Sequence, residues 1–431
     1  MKHTVEEIRL SNGARGLLID VPDATVMNFE FQFRAGNRFT RSKDIYETAH
    51  IMEHMAFGAN AKYKDEHEFE AEFTKNGAYH NAFTSDVSMV YTAECADFEW
   101  ERILQLQELS ICSPRFNETE LKAEKGNVKS ELTGYLDSHL HLLWIKIQQL
   151  LGEDILTMSE RLKTIPNITL DDIEEHYKRT HTSNNMRFAI AGRMHGRKSA
   201  IKRYLEGWNL PKGERFSVPV DKLHSAKPTL IKRKESSNIK FGWSMILPKV
   251  LSDEEYVAMS HLNHILTGTM HSYIFGTARK RGLAYGMFST TAKYPYFSSW
   301  DFGGEVNHET AAQVFDIMYD QLKKVLSGDV KKSDLEMAKS YMLGRYQMNA
   351  QTVGMILSYY TGYYFPTDKV YKYDDIPERI KKVKFSDMIE VARQFIDADT
   401  WSLAMVGSGE HAKPADLAKI IQPLYKKELQ R

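Results

Sequence analysis

Residues 50–54 read His-Ile-Met-Glu-His and contain three side chains that could carry hydrolytic chemistry. Positions four apart on an α-helix lie one turn apart on the same face, so His50 and His54 can bind one metal ion together. Zn²⁺ accepts imidazole nitrogens and carboxylate oxygens in a roughly tetrahedral shell. Glu53 lies on the same helix face and could act as the base for a zinc-bound water molecule. The motif therefore predicts a zinc-dependent hydrolase.

A hydrolytic zinc site needs a third protein ligand, and two candidates follow in one predicted helix. In the segment ELKAEKGNVKSELTGYL, Glu124 and Glu131 are seven residues apart, so two helical turns place them on one face. One carboxylate could bind the metal while the other accepts a hydrogen bond from a histidine N–H. The residues alone do not choose between them. The competing interpretation is a charged helix with solvated acids, near two surface histidines that have no function.

The composition of the chain argues against several other functional classes. Of its 431 residues, 42% are hydrophobic, which predicts substantial cores in two or more domains. Lys and Arg together number 57, as do Asp and Glu, so no net charge favours nucleic acid or an anionic membrane. The sequence has no charge-free apolar run of 18 residues, and we expect no transmembrane helix and no membrane partner.

Cysteine usage and the first residues bear on the cellular compartment. Cys95 and Cys112 are too few for a disulfide framework and do not have the spacing of metal ligands. The segment MKHTVEEIRLSNG lacks the apolar stretch of a secretory signal and carries acidic residues early. We therefore expect an intracellular, cytoplasmic protein.

Two similar strands, half a chain length apart, indicate an internal repeat. The segments MRFAIAG and WSLAMVG are apolar, end in Gly192 and Gly407, and each follow a helical stretch and a polar turn. The two glycines are 215 residues apart. We expect two related domains, residues 1–215 and 216–431, with a linker near residues 210–230 that is rich in Pro, Gly and Lys.

The order of predicted elements favours an α+β fold. Strands are expected in NGARGLLIDVP and TVMNFEFQFRAG, followed by a helix over residues 44–57 that carries the histidine motif. Next come a polar helix near 65–76, extended segments GAYHNAFTS and SMVYTAECA, and long helices over 97–111 and 117–151. Since strands and helices do not alternate strictly, we expect helices packed on largely antiparallel sheets.

The motif and its neighbours resemble the pitrilysin family of zinc peptidases, which includes insulin-degrading enzyme and mitochondrial processing peptidase. AHIMEHMAFG resembles the helix around the metal histidines of that family, and LSNGARGLLID resembles its opening strand. NGAYHNAFTSDVSMVYTAE resembles its substrate-binding edge strand. The family places a ligating glutamate at a set distance after H-x-x-E-H, and the 76 residues between His54 and Glu131 match that distance.

The resemblance implies a role for each candidate residue. The two motif histidines and Glu131 would bind one Zn²⁺ per chain, Glu53 would be the general base, and Glu124 would orient a ligand histidine. Asn81 and Ala82 would lie on a sheet edge that pairs with an extended peptide. The implied protein is a zinc endopeptidase or oligopeptidase of two related domains, which hydrolyses peptides or small unfolded proteins inside a closed chamber.

The second half departs from the family at one position. The segment TARKRGLAYGMFS resembles the part of the family that supplies an Arg and a Tyr to the substrate carbonyl. Tyr285 is present and is expected to bind substrate. Ala278 occupies the position of the arginine, and Arg279 is offset by one residue, a rotation of roughly 100° on a helix. The offset predicts that Arg279 points elsewhere than the family arginine.

The two-domain length implies a partner. Long family members close four such domains over the substrate, so a chain with two is expected to dimerise. The partner is either a second copy or a related chain that supplies the Arg/Tyr pair. Two alternatives to an active peptidase stay open: a metal-binding, weakly active or non-catalytic subunit of a hetero-oligomeric peptidase or scaffold, and a peptide-binding module with a structural metal.

Overall fold

The computed structural model describes residues 1–410 and 412–425 and divides them into two compact units. The first unit comprises Met1–Gly134, Met158–Pro219 and Met348–Tyr373. The second comprises Tyr135–Thr157, Val220–Gln347 and the described residues from 374 onward. Each unit therefore includes a segment from the other half of the chain. Met348–Tyr373 belong to the first unit and Tyr135–Thr157 to the second, whereas the expected domains were the continuous ranges 1–215 and 216–431.

One β-sheet forms the centre of each unit. The strands of the first unit are β1 (Thr4–Arg9), β2 (Arg15–Asp20), β3 (Val26–Phe33), β4 (Tyr79–Thr84), β5 (Met89–Ala96) and β6 (Arg187–Gly192). The strands of the second unit are β7 (Thr229–Lys232), β8 (Asn238–Leu247), β9 (Ala284–Lys293), β10 (Ser298–Asn307) and β11 (Trp401–Gly407).

The two sheets share one topology over five strands. The first has the order β1-β2-β6-β3-β5-β4 and the second β7-β11-β8-β10-β9. In each, one parallel pair, β2–β6 or β7–β11, is followed by antiparallel pairs. The segments MRFAIAG and WSLAMVG contain β6 and β11, which hold equivalent places in the two sheets. The expected α+β fold, with two related and mainly antiparallel sheets, is confirmed.

Helices surround both sheets. In chain order they are α1 (Thr48–Met55), α2 (Glu66–Thr74), α3 (Trp100–Cys112), α4 (Glu118–Tyr135), α5 (His139–Leu150), α6 (Met158–Thr164), α7 (Leu170–Thr180), α8 (Lys198–Gly207), α9 (Asp253–Thr267), α10 (Phe275–Lys280), α11 (Ala311–Leu326), α12 (Lys332–Met348), α13 (Val353–Thr367), α14 (Ile376–Lys382), α15 (Phe385–Asp397) and α16 (Pro414–Ile421). Within the described residues, no helix combines the length and the apolar character needed to cross a membrane.

The strand that precedes the motif helix shows how the sequence builds the first core. On β3, alternating side chains Phe29, Phe31 and Phe33 are fully buried, as a half-buried strand with period two requires. Burial of each such side chain stabilises the fold by about 1.5–3 kcal/mol relative to exposure. These aromatic side chains anchor the middle of the first sheet.

The predicted long helix over residues 117–151 is wrong, because the chain breaks there into α4 and α5. Ser138 is the N-cap residue of α5, and its hydroxyl accepts a hydrogen bond from the backbone N–H of His141. A serine that satisfies a free N–H in this way favours a helix start over a helix interior. The first unit ends at Gly134 in the last turn of α4, and α5 belongs to the second unit.

The motif helix is also shorter than expected. A 3₁₀ turn at Lys43–Ile45 precedes α1, which begins only at Thr48. Ser42 accepts a hydrogen bond from the N–H of Asp44 and starts that turn. In the expected linker region, residues 208–228 form neither helix nor strand.

Candidate metal centre

Helix α1 is almost entirely inside the first unit, although it carries polar residues. Seven of its eight residues are buried, including both His50 and Glu53. It packs against β4 and α7. Just after its end, the backbone N–H of Ala59 donates to Glu120 of α4 at 2.9 Å. This hydrogen bond ties the end of the motif helix to the helix that carries Glu124 and Glu131.

Three candidate ligands converge between α1 and α4. His50, His54 and Glu131 each offer one ligand atom, and these atoms lie within 4.8 Å of one another. One carboxylate oxygen, Oε2 of Glu131, lies 3.4 Å from His50 Nε2 and 3.7 Å from His54 Nε2. The two imidazole centroids are 5.0 Å apart, with their planes at 83°. Among the described residues, no second group of His, Cys, Asp or Glu meets the same criterion.

The second nitrogen of each imidazole faces a buried carboxylate. His50 Nδ1 lies 3.0 Å from Glu47 Oε2, and His54 Nδ1 lies 2.8 Å from Glu124 Oε2. When each Nδ1–H donates to its carboxylate, Nε2 is the nitrogen of each neutral ring that can bind a metal ion. The structure thus brings Glu131 to both Nε2 atoms and Glu124 to Nδ1 of His54, which is the placement expected for a ligand and a supporting carboxylate.

Glu47 is a site residue that the sequence reasoning missed. Its side chain is fully buried, and Arg161 donates to it from Nε at 2.5 Å and from Nη2 at 2.9 Å. Burial alone would raise the pKa of Glu47, but hydrogen bonds from His50 and Arg161 outweigh it and lower that pKa. The Glu-x-x-His spacing that ends at His50 was the available signal, because positions three apart meet on a helix face. Arg161 has no comparable signal.

The electrostatics of the site favour a cation at the histidines. Burial would lower the pKa of His50, but hydrogen bonds with Glu131 and Glu47 outweigh it and raise that pKa to about 9. The hydrogen bond from His54 is the main cause that lowers the pKa of Glu124. Two imidazole nitrogens and one carboxylate oxygen are a donor set that fits Zn²⁺ and leaves a fourth position for water or substrate.

Glu53 is the one acidic side chain within α1 itself. It is 8% exposed, and it lies three residues from His50, on the same helix face. Burial raises the pKa of its carboxyl, which is the direction that makes a carboxylate a better proton acceptor near neutral pH.

Strand β4 carries Asn81 and Ala82 and is an edge strand of the first sheet. In the turn to β5, the N–H of Ser85 donates to the carbonyl of Ser88, so Ser85 and Ser88 form a hydrogen-bonded pair. Along antiparallel strands, hydrogen-bonded pairs alternate with pairs whose backbone groups point away from each other, and Ala82 and Tyr91 form a pair of the second kind. By this alternation the N–H and C=O of Ala82 point toward the open edge. Tyr79 and Phe83 expose their side chains on this strand, at 62% and 51%.

In the second unit, Tyr285 lies on the edge strand β9 and is 83% exposed. Ala278 is fully buried on α10, whereas the guanidinium carbon of Arg279 lies 4.7 Å from the ring centroid of Tyr285. The one-residue offset therefore does not separate the two side chains. They line a cavity of about 630 Å³ together with Lys240 and Glu305, which form an ion pair at 2.7 Å.

The role of Glu47 can be tested directly. We expect Glu47→Gln to weaken zinc binding by roughly 10- to 100-fold, the usual effect of losing a residue that orients a ligand histidine. The amide cannot act as an anionic acceptor for His50 Nδ1–H, and it leaves Arg161 without its charge partner. Zinc affinity is measured by competition with a chromophoric chelator.

Glu99→Gln is the matched control for this variant. Glu99 is also a buried glutamate that pairs with an arginine, Arg102, but it contacts none of the candidate ligands. Equal zinc affinity in the Glu47 variant and the wild type, with both folded, would contradict the positioning role.

Two family profiles match the chain. One described as Insulinase (Peptidase family M16) matches residues 18–150, and one described as Peptidase M16 inactive domain matches residues 167–342. The first range includes the candidate ligands and Glu53, whereas the second includes Tyr285. The two profiles follow each other in chain order and together span most of the sequence.

Similar individual proteins and structures include proteases and other proteins of peptidase family M16. The zinc protease YmxG of Bacillus subtilis is 23% identical over 412 residues, which cover 93% of this chain and 98% of the relative. The beta subunit of the human mitochondrial-processing peptidase is 27% identical over 197 residues, 40% of each chain. A protease from Helicobacter pylori has a similar fold, with a TM-score of 0.82 at 18% identity over 94% of this chain and 99% of that one. A peptidase M16 inactive domain from Pseudomonas fluorescens also reaches 0.82 at 18% identity, over 95% and 100%.

Proposed function

The chain belongs to peptidase family M16, and we propose that it is a zinc-dependent endopeptidase or oligopeptidase that acts on extended peptides. The observation that carries this proposal is the convergence of His50 Nε2 and His54 Nε2 on Glu131. Carboxylates hold the opposite nitrogen of both rings, an arrangement typical of metal-binding histidines.

In this proposal the two histidines and Glu131 hold one zinc ion. When bound, the ion supplies Lewis acidity, since it lowers the pKa of a coordinated water and polarises the substrate carbonyl. Glu53 accepts a proton from the attacking water at its carboxylate and delivers that proton to the leaving amine nitrogen. Its burial keeps bulk water away from the carboxylate. Glu124 and Glu47 hold the imidazoles in one orientation.

The edge of the first sheet is the proposed substrate-binding surface. An extended peptide can add to β4 as a further strand, with the N–H and C=O of Ala82 as backbone partners. Backbone pairing of this kind gives affinity with little sequence selectivity. Asn81 presents its side chain on the exposed face of the same strand.

We propose that Tyr285 of the second domain contacts the substrate carbonyl. The phenol is exposed and lies against Arg279, so this chain offers both side chains of an Arg/Tyr pair. A hydroxyl and a guanidinium can stabilise negative charge that develops on a carbonyl oxygen. We propose that the working form is a dimer, either of two copies or with a related chain, that encloses the substrate in a chamber. The cytoplasmic location stays a prediction.

A second candidate function is a metal-binding subunit with little or no activity of its own. The observation in its favour is the description of the second matching profile as an inactive domain. In this case zinc would stabilise the first domain while a related chain performs hydrolysis.

Metal analysis combined with a mixed peptide library tests the proposal. We expect about one zinc ion per chain, hydrolysis of library peptides, loss of hydrolysis on chelation and its recovery when zinc is added. Cleavage products are identified by mass spectrometry. Absence of stoichiometric zinc from the purified chain would refute the zinc-peptidase proposal. A zinc-loaded chain that leaves the library intact would favour the inactive-subunit alternative.

A further inference from the structure

A second cavity lies within the second unit, away from Arg279 and Tyr285. It measures about 360 Å³ and opens on one face of the second sheet. Helix α5 packs on β8 and β11, so it covers only part of that face. Side chains of α5, β8, β9 and β10 line the space that remains. The volume is sufficient for a small organic group.

Asp301 is one of the residues that line this cavity. It is on β10, flanked in register by Ser244 of β8 and Thr290 of β9. Its side chain is 8% exposed and accepts a hydrogen bond from Ser299 Oγ at 2.6 Å. Among the described residues, no Lys, Arg or His nitrogen lies within 4.0 Å of this carboxylate. Burial raises the pKa of Asp301 to about 6, whereas hydrogen bonds from Ser244 and Ser299 favour the ionised carboxylate.

A buried carboxylate without a cation is costly to maintain. Removal of an ion from water is unfavourable, and partner charges in proteins normally offset that cost. Here the hydroxyls of Ser299 and Ser244 are the hydrogen-bond partners of Asp301, and the side chains that line the cavity include no Lys, Arg or His. A ligand of positive charge would supply the counter-ion for Asp301 that the lining side chains do not.

The walls of the cavity are aromatic. Trp144 and Phe288 have ring centroids 6.0 Å apart, and Tyr294 stacks on Phe297 at 4.3 Å. Faces of Trp, Tyr and Phe attract cations through the ring quadrupole, most strongly where the cation is shielded from water. A cavity lined by aromatic side chains and a buried carboxylate fits an organic ammonium group better than a hydrated metal ion.

We infer that this cavity binds an organic ammonium group, with Asp301 as its counter-ion and Trp144 and Tyr294 as aromatic walls. The group is either a free primary amine or the side chain of a lysine in a peptide. The inference does not depend on zinc or on the peptidase reaction, since none of the residues named belongs to the first unit.

Calorimetric titration of the full chain tests the inference. The first probe is n-pentylamine, with 1-pentanol as a neutral probe of the same heavy-atom count. The second is the peptide acetyl-Gly-Lys-Gly-amide, with norleucine in place of lysine as its neutral match, titrated into the Glu53→Gln variant so that the peptide stays intact. We expect saturable binding of a charged probe and none of its neutral match. Binding of the amine alone identifies a free amine as the ligand, and binding of the lysine peptide identifies a side chain.

Variants distinguish binding at this cavity from nonspecific binding of the charged probe to the protein surface. We expect Asp301→Asn to weaken binding of the charged probe by at least about tenfold, because the charged acceptor is lost while the shape is kept. Trp144→Leu should weaken it as well, through loss of an aromatic wall. Asp316→Asn, an exposed aspartate on α11 of the same unit, is the matched control and should bind as the wild type does. Failure of both charged probes to saturate the wild type, or unchanged binding in Asp301→Asn, would overturn the inference.

Discussion

Replacement of Glu53 by glutamine is expected to lower the rate of peptide hydrolysis by roughly 10²- to 10⁴-fold, the usual contribution of a general base. Glutamine fits the buried position on α1, because its shape is nearly that of glutamate, but its amide cannot accept the proton. The three candidate ligands and both supporting carboxylates stay in place. We therefore expect the variant to keep its zinc.

The measurement is kcat/KM on one library peptide, with zinc content determined on the same sample. Glu118→Gln is the matched control, since Glu118 is an exposed glutamate in the first turn of α4 and lies outside the site. The control should hydrolyse the peptide at the wild-type rate. Wild-type activity in the Glu53 variant would exclude this residue as the base. Joint loss of zinc and activity would instead assign Glu53 a part in holding the metal.

The proximity of the candidate ligands His50 and His54 on α1 could be predicted from sequence, because helix geometry alone sets it. Once residues 48–55 are helical, His50 and His54 must lie one turn apart on one face, whatever surrounds them. For the same reason Glu124 and Glu131 must lie on one face of α4, two turns apart. These are local relations, fixed by backbone geometry within a single element.

The choice between Glu124 and Glu131 could not be made in that way. It depends on how far α4 is displaced along its own axis relative to α1, which is a tertiary relation. In the structure, that displacement brings Glu124 to His54 Nδ1 and Glu131 to both Nε2 atoms. Only the distance in sequence shared with the pitrilysin family indicated this outcome beforehand.

Features that depend on contacts between distant parts of the chain could not be predicted from the sequence, because they too are tertiary relations. Arg161 contacts Glu47 across 114 positions, and nothing local marks either residue as part of a pair. The cap at Ser138 was visible as a residue type, but apolar periodicity on both sides favoured one continuous helix. Asp301 is a polar residue on β10, but it lies in a run of six buried positions at the start of that strand, which its residue type alone did not indicate.

Loss of a zinc ligand is the second large effect that we expect. His54→Ala and Glu131→Gln should each weaken zinc binding by more than the loss of a supporting residue does, which is roughly 10- to 100-fold. Peptide hydrolysis should fall in proportion to zinc occupancy. A hydrolytic zinc site needs three protein ligands, and each of these variants keeps only two of them. Zinc per chain after dialysis and kcat/KM at fixed free zinc are the two measurements.

His67→Ala is the matched control for the histidine variant, because His67 is exposed on α2 and is not among the candidate ligands. It should keep wild-type zinc content. Full zinc occupancy in His54→Ala or Glu131→Gln would contradict the proposed ligand set.

Thermal unfolding distinguishes loss of metal from loss of fold. A ligand that binds only the native state at a hundred times its Kd adds about 2.7 kcal/mol to the free energy of unfolding. Zinc should therefore raise the Tm of the wild type and of His67→Ala but not that of Glu131→Gln. The Glu131 side chain is 39% exposed, so its replacement removes little packing, and the metal-free variant should unfold at the temperature of the metal-free wild type. Equal Tm values without zinc, and different ones with it, would place the defect at the metal site and not in the fold.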